Sequence, residues 1–157
     1  MHFFNTGLEA LFSGVFAAFL AQVLKVVAYY ITHKKLNFKM FTTTGGMPSS
    51  HSAGTVGLAT SIGLIAGWSS ISFAIAASFS IVVMHDAAGL RRAAGKTAAT
   101  LNRLIQEITE HTNEIKPHEV LKELLGHTPK EVFFGALFGF SIAFLVHYLP
   151  FYLYHHF

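Results

Sequence analysis

The sequence predicts an all-α protein, a polytopic membrane bundle of about four transmembrane helices with an amphipathic helix on its cytoplasmic side. Hydrophobic residues make up 52% of the 157 residues and charged residues only 12%, a balance unusual for a soluble domain. Four apolar runs occupy residues 8–31, 52–66, 71–89 and 132–154. A stretch between the last two runs is amphipathic instead. No repeat or linker divides the chain, so we interpret residues 1–157 as a single domain.

The first apolar run is long enough to cross a hydrocarbon core of roughly 30 Å. It follows no basic region and carries Gln22 and Lys25, so we interpret it as a retained helix rather than a signal peptide. Gln22, Lys25 and Tyr29 share one helical face, which indicates a polar stripe toward the bundle interior. The alternative is that Lys25 snorkels to the membrane surface.

The second run follows the stretch GGMPSSHSAGT, residues 45–55. Its two glycines permit backbone conformations that other residues avoid, and Ser49 or Ser50 can cap the helix that follows. The free N–H groups at such a helix end suit phosphate, and His51 would be placed to exchange a proton with it. The alternative is a capped helix whose histidine only meets lipid headgroups.

The third run is followed by Arg91 and Arg92, which either bind an anion or anchor the topology. The two cannot point the same way on a helix, so we expect one of them to be an anchor. We expect Asp86 to pair with a basic side chain. The spacing of apolar residues in the segment after them predicts an amphipathic helix, which lies on the membrane surface or on the protein itself. Its apolar positions are Leu101, Leu104, Ile105, Ile108 and Ile115.

The fourth run begins after GHTPKEV, where His127 and Glu131 are four residues apart. On a helix they would lie one turn apart on one face, so the carboxylate could orient the imidazole as a nucleophile. The alternatives are an exposed helix pair or a metal site, and neither an HExxH pattern nor a cysteine cluster supports a metal. We interpret His147 and the phenylalanines of this run as lipid-facing, interfacial or packing residues.

Charge placement predicts the topology. Lys25 is the only one of the 11 lysines and arginines within an apolar run, and four spans place the others on one side. The positive-inside rule makes that side cytoplasmic. His51 and His127 then share this membrane face, where they could form one pocket. The other basic residues are Lys34, Lys35, Lys39, Arg91, Arg92, Lys96, Arg103, Lys116, Lys122 and Lys130.

At this point the motifs resemble a known superfamily. PSSHSA is similar to the proline-serine-x-histidine motif of the type 2 phosphatidic acid phosphatases and vanadium-dependent haloperoxidases. HTPKEVFFGALFG is similar to their third motif, in which a histidine is followed four residues later by an acid and then by two spaced glycines, here Gly135 and Gly139. A divergent branch of short bacterial and plant proteins is the closer match, and the resemblance covers nearly the whole chain.

The resemblance implies roles for individual residues. His127 would be the nucleophile that forms a phosphohistidine, Glu131 would orient it, and His51 would protonate the leaving alkoxide. Ser49 and Ser50, with neighbouring backbone N–H groups, would hold phosphate oxygens. Neither a metal nor another cofactor is implied, because basic side chains supply the positive charge.

Two features of the broader superfamily are absent. Leu121 stands where those proteins carry an arginine six residues before the nucleophile, and their first motif is missing. We therefore expect other cations to bind the phosphate. These are Arg91, Arg92, Lys25, Lys35, Lys39 and Lys122.

Together these features predict an integral membrane phosphatase of the bacterial cytoplasmic membrane, with its active site facing the cytoplasm. Candidate substrates are phosphatidylglycerol phosphate, phosphatidate and an isoprenyl diphosphate. The expected partners are the lipid and the bilayer, a homodimer is compatible with the short spans, and nucleic acid binding has no support. The alternatives are a catalytically silent phospholipid-binding or scaffolding protein, and haloperoxidase chemistry, which expects a larger soluble protein.

Overall fold

The computed structural model describes residues 4–35, 46–112 and 126–156, and this part of the chain is helical without any strand, as predicted. It contains five helices in sequence order. They are α1 (Gly7–His33), α2 (Ser50–Ala66), α3 (Ile71–Ala88), α4 (Leu90–Thr112) and α5 (Pro129–His156).

Side-chain hydroxyls cap the first turns of the bundle helices. Thr6 accepts from the backbone N–H of Leu8 at the start of α1. Ser49 and Ser70 do the same for α2 and α3, respectively. Since the first N–H groups of a helix have no partner within it, these caps explain why the helices begin where they do.

Helix α2 is the centre of the bundle and packs against α1, α3 and α5. The core between these helices is built from small side chains, Ala17 and Ala21 of α1 with Ala53 of α2, and from Ile142 of α5. Small residues let helix backbones approach closely, which is how helices associate in a bilayer that offers no hydrophobic gain.

The polarity of these helices brings four helix ends to one end of the bundle. Helix α2 is antiparallel to α1, because Ser13 contacts Ser61 while Ala18, further along α1, lies beside Gly54. It is antiparallel to α3, because Phe73 lies beside Gly63 while the hydroxyl of Ser80 donates to the Thr55 carbonyl at 2.8 Å. The end of α1, the start of α2, the end of α3 and the start of α5 therefore meet, which is the convergence that the sequence predicts.

Three helical stretches of the described chain are long and apolar enough to cross a membrane. They are Gly7–His33, Ile71–Thr109, which continues from α3 into α4, and Pro129–Leu149. Helix α2 has 17 residues and a length of about 26 Å, short of a bilayer core of roughly 30 Å. Its central position means that the other helices cover most of it.

Helix α4 has the amphipathic pattern predicted from the sequence. Its apolar residues Leu101, Leu104 and Ile108 are exposed, and among the described helices α4 contacts only α3. The described part of the chain therefore does not cover this apolar face, which favours the membrane surface over the alternative of packing on the protein. Ile115, the last predicted position, lies outside the described residues.

The opposite end of the bundle holds a polar contact that the sequence interpretation missed. Glu9 of α1 is fully buried, and its carboxylate lies 2.7 Å from Nδ1 of His147 on α5. The backbone N–H of Asn5 donates to the same carboxylate. The interpretation of His147 as merely lipid-facing or packing is therefore incomplete, because this residue ties the first helix to the last.

Candidate active site

The His127–Glu131 pair forms, although not in the way that its spacing first indicates. Helix α5 begins at Pro129, so His127 precedes the helix instead of lying on its face. Thr128 caps α5 and accepts from the N–H of Glu131 at 3.3 Å, while the Glu131 carboxylate accepts from the N–H of Thr128 at 3.2 Å. This reciprocal cap turns the carboxylate back toward Nδ1 of His127, at 3.0 Å.

Two backbone hydrogen bonds fix the position of the segment that carries His127. Its N–H donates to the carbonyl of Ala87, at the end of α3, at 3.1 Å. The N–H of Ser49 donates to the carbonyl of Glu131, also at 3.1 Å. The segment before α5 is thereby fastened to α3 and to the start of α2, which positions the imidazole within the bundle end.

The two nitrogens of the His127 ring are in different states. Nδ1–H donates to Glu131, which leaves the lone pair on Nε2. The residue is 2% exposed, and Nε2 has no hydrogen-bond partner of acceptable geometry among the described residues, although the Gly46 backbone lies beside the ring. Burial lowers the pKa of His127 below its ordinary value of 6.5, against the opposing effect of Glu131. Neutral imidazole, the nucleophilic form, is thus favoured at neutral pH.

His51 faces His127 across the site. It lies in the first turn of α2, and the two ring centroids are 6.1 Å apart with an edge-on arrangement. The predicted general acid and nucleophile, 76 positions apart in sequence, therefore converge. Two histidine rings this close could both reach the same bound phosphoryl group.

The two motif glycines explain how α5 reaches the start of α2. A Cβ at Gly135 would overlap the backbone of Ser49, and a Cβ at Gly139 would overlap the backbone of Ala53. Any side chain at these positions would push α5 away from α2. His51 and His127 could then no longer face each other as they do.

Lys25 is the basic residue most closely tied to the site. Its side chain is 3% exposed, and no described residue accepts a hydrogen bond from its Nζ. Its charge acts on both site histidines and on Glu131. This burial favours the interior orientation over snorkelling, since a snorkelling lysine keeps its ammonium in water.

The other predicted cations differ in their relation to the site. Arg91 acts electrostatically on His51, but its guanidinium donates to Asp86 at 2.7 Å, the pairing expected for that aspartate. Arg92 contributes backbone against Gly126, and Lys35 is exposed beyond the end of α1. Lys39 and Lys122 lie outside the described residues.

The two serines of the motif have separate positions. Ser49 is fully buried, and its hydroxyl accepts from both the N–H and the hydroxyl of Ser52. Ser49 is therefore the cap of α2, while Ser50 is the first helical residue and lies beside His51. Gly46, just before them, has φ +82°, a conformation that favours glycine. In the described part of the chain, no three His, Asp or Glu side chains cluster as a metal site would require.

Comparison with known proteins identifies the family of the chain. The model of the family described as "Divergent PAP2 family" matches residues 7–142. The protein "Uncharacterized membrane protein YuiD" of Bacillus subtilis (strain 168) is 42% identical over 147 residues, covering 88% of this chain and 93% of that protein. No solved structure matches the chain.

Proposed function

This chain belongs to the divergent PAP2 family, and we propose that it is a membrane lipid phosphatase acting through a phosphohistidine. The observation that carries the proposal is the state of His127. Its Nδ1 is held by Glu131, its buried Nε2 has no hydrogen-bond partner among the described residues, and its ring faces that of His51. An imidazole held in one tautomer and kept neutral is suited to nucleophilic attack.

In the first step, Nε2 of His127 attacks the phosphorus of the lipid phosphate. The bond from phosphorus to the lipid oxygen breaks, and His51 gives its proton to that oxygen, so the lipid leaves as an alcohol. Nδ1–H of His127 stays with Glu131, whose negative charge stabilises the positive imidazole ring of the phosphohistidine.

In the second step, a water molecule attacks the phosphohistidine. His51, now neutral, accepts a proton from the water, and the bond between phosphorus and Nε2 breaks. Inorganic phosphate leaves, and both histidines return to their starting states. One residue thus serves as acid and then as base, as microscopic reversibility requires.

Positive charge for the phosphoryl oxygens comes from the protein in this proposal. Lys25 is the leading candidate because it is buried, unpartnered among the described residues and close enough to act on both histidines. Arg91 is the second, at the price of its bond with Asp86. The helix start at Ser49 and Ser50 adds free N–H groups. The proposed chemistry is therefore metal-independent.

The proposed substrate is a phospholipid monoester presented by the cytoplasmic leaflet. Phosphatidylglycerol phosphate and phosphatidate are the candidates, with an isoprenyl diphosphate as a further one. The inward orientation rests on the positive-inside rule. A substrate made inside the cell would meet the site on that side.

The experiment is phosphate release by the purified protein in detergent, with chelator present, from each of the three lipids. We expect turnover of at least one lipid, and its loss in both His127→Ala and His51→Ala. His33→Ala is the matched control, because this histidine is exposed at the end of α1. Turnover that survives in His127→Ala would contradict the phosphohistidine mechanism.

The second candidate function is a catalytically silent phospholipid-binding or scaffolding protein. It is favoured by Leu121, which stands where the broader superfamily carries an arginine. This function predicts that folded wild-type protein binds the lipids but releases no phosphate. His127→Ala would then bind them as the wild type does.

A further inference from the structure

A groove runs along the outside of the bundle between α1 and α2. It has a volume of about 470 Å³. On α1 it follows a single stripe from Leu11 to Gln22, and on α2 it extends from Leu58 back to His51. Eleven residues of α1 correspond to roughly 17 Å of helix rise. The groove is therefore long and narrow, the shape of an extended hydrocarbon chain.

Small residues create the groove. A Cβ at Gly14 would lie 2.9 Å from the carbonyl oxygen of Gly54, so the two backbones are nearly in contact at its floor. Val15 and Phe19 form its outer wall and are 62% and 57% exposed. The groove is thus apolar over the part away from His51 and opens to the surroundings of the bundle, where a lipid chain could enter sideways.

The polar end of the groove belongs to the candidate active site. His51 and Ser50 line it, whereas His127 does not. In a phosphate monoester, the hydrocarbon part is attached through the leaving oxygen, which is the oxygen that His51 would protonate. The groove therefore begins where the leaving group of the proposed reaction begins.

From this juxtaposition we propose that the groove between α1 and α2 holds one hydrocarbon chain of the lipid substrate. The ester oxygen lies at His51, and the chain runs toward Leu11. This assignment rests on the proposed function, which names His51 as the acid for the leaving group. It adds a specificity site on the face of α1 that no motif marks.

Two other apolar hollows provide the competing locations. One is formed by α5 alone, between Phe140 and Tyr152, and the other lies between Met47 and Phe134. Neither is lined by His51 or His127. A chain in either hollow would not begin at His51.

The test uses phosphatidic acid with a diazirine in one acyl chain, photolysed with the whole protein in detergent and mapped by mass spectrometry. We expect labelling within residues 11–22 and 50–58. Val15→Trp fills the middle of the groove and should lower this labelling about tenfold, because roughly two methylenes lose their contact with the protein. Val82→Trp is the matched control, since Val82 is 65% exposed on α3 and lines none of these hollows.

Turnover of alkyl phosphates provides a second readout. Val15→Trp should lower the ratio of kcat/KM for hexadecyl phosphate to that for hexyl phosphate by a similar factor, and Val82→Trp should not. Labelling confined to residues 134–152, or equal effects of the two variants, would overturn the assignment whatever the turnover. Groove labelling without phosphate release from any lipid would refute the phosphatase and leave the groove as a lipid-binding site.

Discussion

Replacing Glu131 with glutamine tests the link between the cap of α5 and the reactivity of His127. One carboxylate oxygen, Oε2, accepts from both Nδ1 of His127 and the N–H of Thr128. An amide oxygen in the same place accepts from both donors, so Glu131→Gln should retain the cap and the tautomer. What it loses is the negative charge.

The expected magnitude follows from that loss. A hydrogen bond to a charged group contributes about 1.5–3 kcal/mol, and a neutral one about 1. The positive ring of the phosphohistidine would lose a difference of about 0.5–2 kcal/mol, which corresponds to a roughly 2- to 30-fold decrease in kcat. Glu131→Ala also removes the hydrogen bond from the Thr128 N–H, the carboxylate's half of the reciprocal cap, so it should lose more activity and about 1 kcal/mol of stability.

The assay is initial-rate phosphate release from the best lipid, with thermal unfolding in the same detergent. Glu131→Gln should unfold like the wild type and Glu131→Ala at a lower temperature. Two results would refute the reasoning. One is full activity in Glu131→Gln, and the other is equal activity and stability in the two variants.

Three further predictions concern the charge, burial and packing of the site. The loss of activity that protonation of His127 causes should begin only below pH 6.5, since neutral His127 is the nucleophile and burial lowers its pKa; a decline with falling pH that begins above 6.5 would contradict this. Lys25→Met should lower kcat about 10²-fold, as loss of an oxyanion donor does, while exposed Lys35→Met should not; equal rates would exclude Lys25 from the phosphate site. Gly139→Ala should destabilise the protein by about 1–3 kcal/mol by overpacking α5 on α2, whereas Gly7→Ala, with nothing within 4 Å, should not; thermal unfolding compares the two.

The helical fold and the meeting of the site residues at one end of the bundle could be predicted, because they depend on local sequence patterns and on the number of membrane spans. Apolar runs locate most of the helices, and the alternation of spans brings His51 and His127 to one end. The four-residue spacing of His127 and Glu131 predicts their contact correctly. The predicted reason, a shared helical face, is wrong, because His127 precedes α5 and the contact is made through the cap of that helix. A helical face and a cap both place residues four apart in contact, and the sequence does not distinguish them unless Thr128 and Pro129 are interpreted as the helix start.

Other features depend on how the helices pack, which no local pattern records. Whether Lys25 faces the interior depends on the rotation of α1 about its axis. The Glu9–His147 contact joins residues 138 positions apart. The hydrogen bond from His127 to Ala87 depends on how far α3 is shifted along its axis relative to α5. The groove is a space between helices, so it becomes visible only when α1 and α2 are placed together.

The contact between Glu9 and His147 also has a consequence for biogenesis. During synthesis α1 emerges first, carrying Glu9 and Lys25 at positions that are buried in the finished bundle. A charged residue costs about 2.5–3.5 kcal/mol at the centre of a membrane helix and less near its ends, where Glu9 lies. The partner of Glu9 is made 138 residues later. The buried carboxylate of α1 therefore has no histidine partner until α5 has been made. A chain that stops before α5 would leave α1 with an unpaired acid, so the earliest helix in synthesis is among the last to become stable in the membrane.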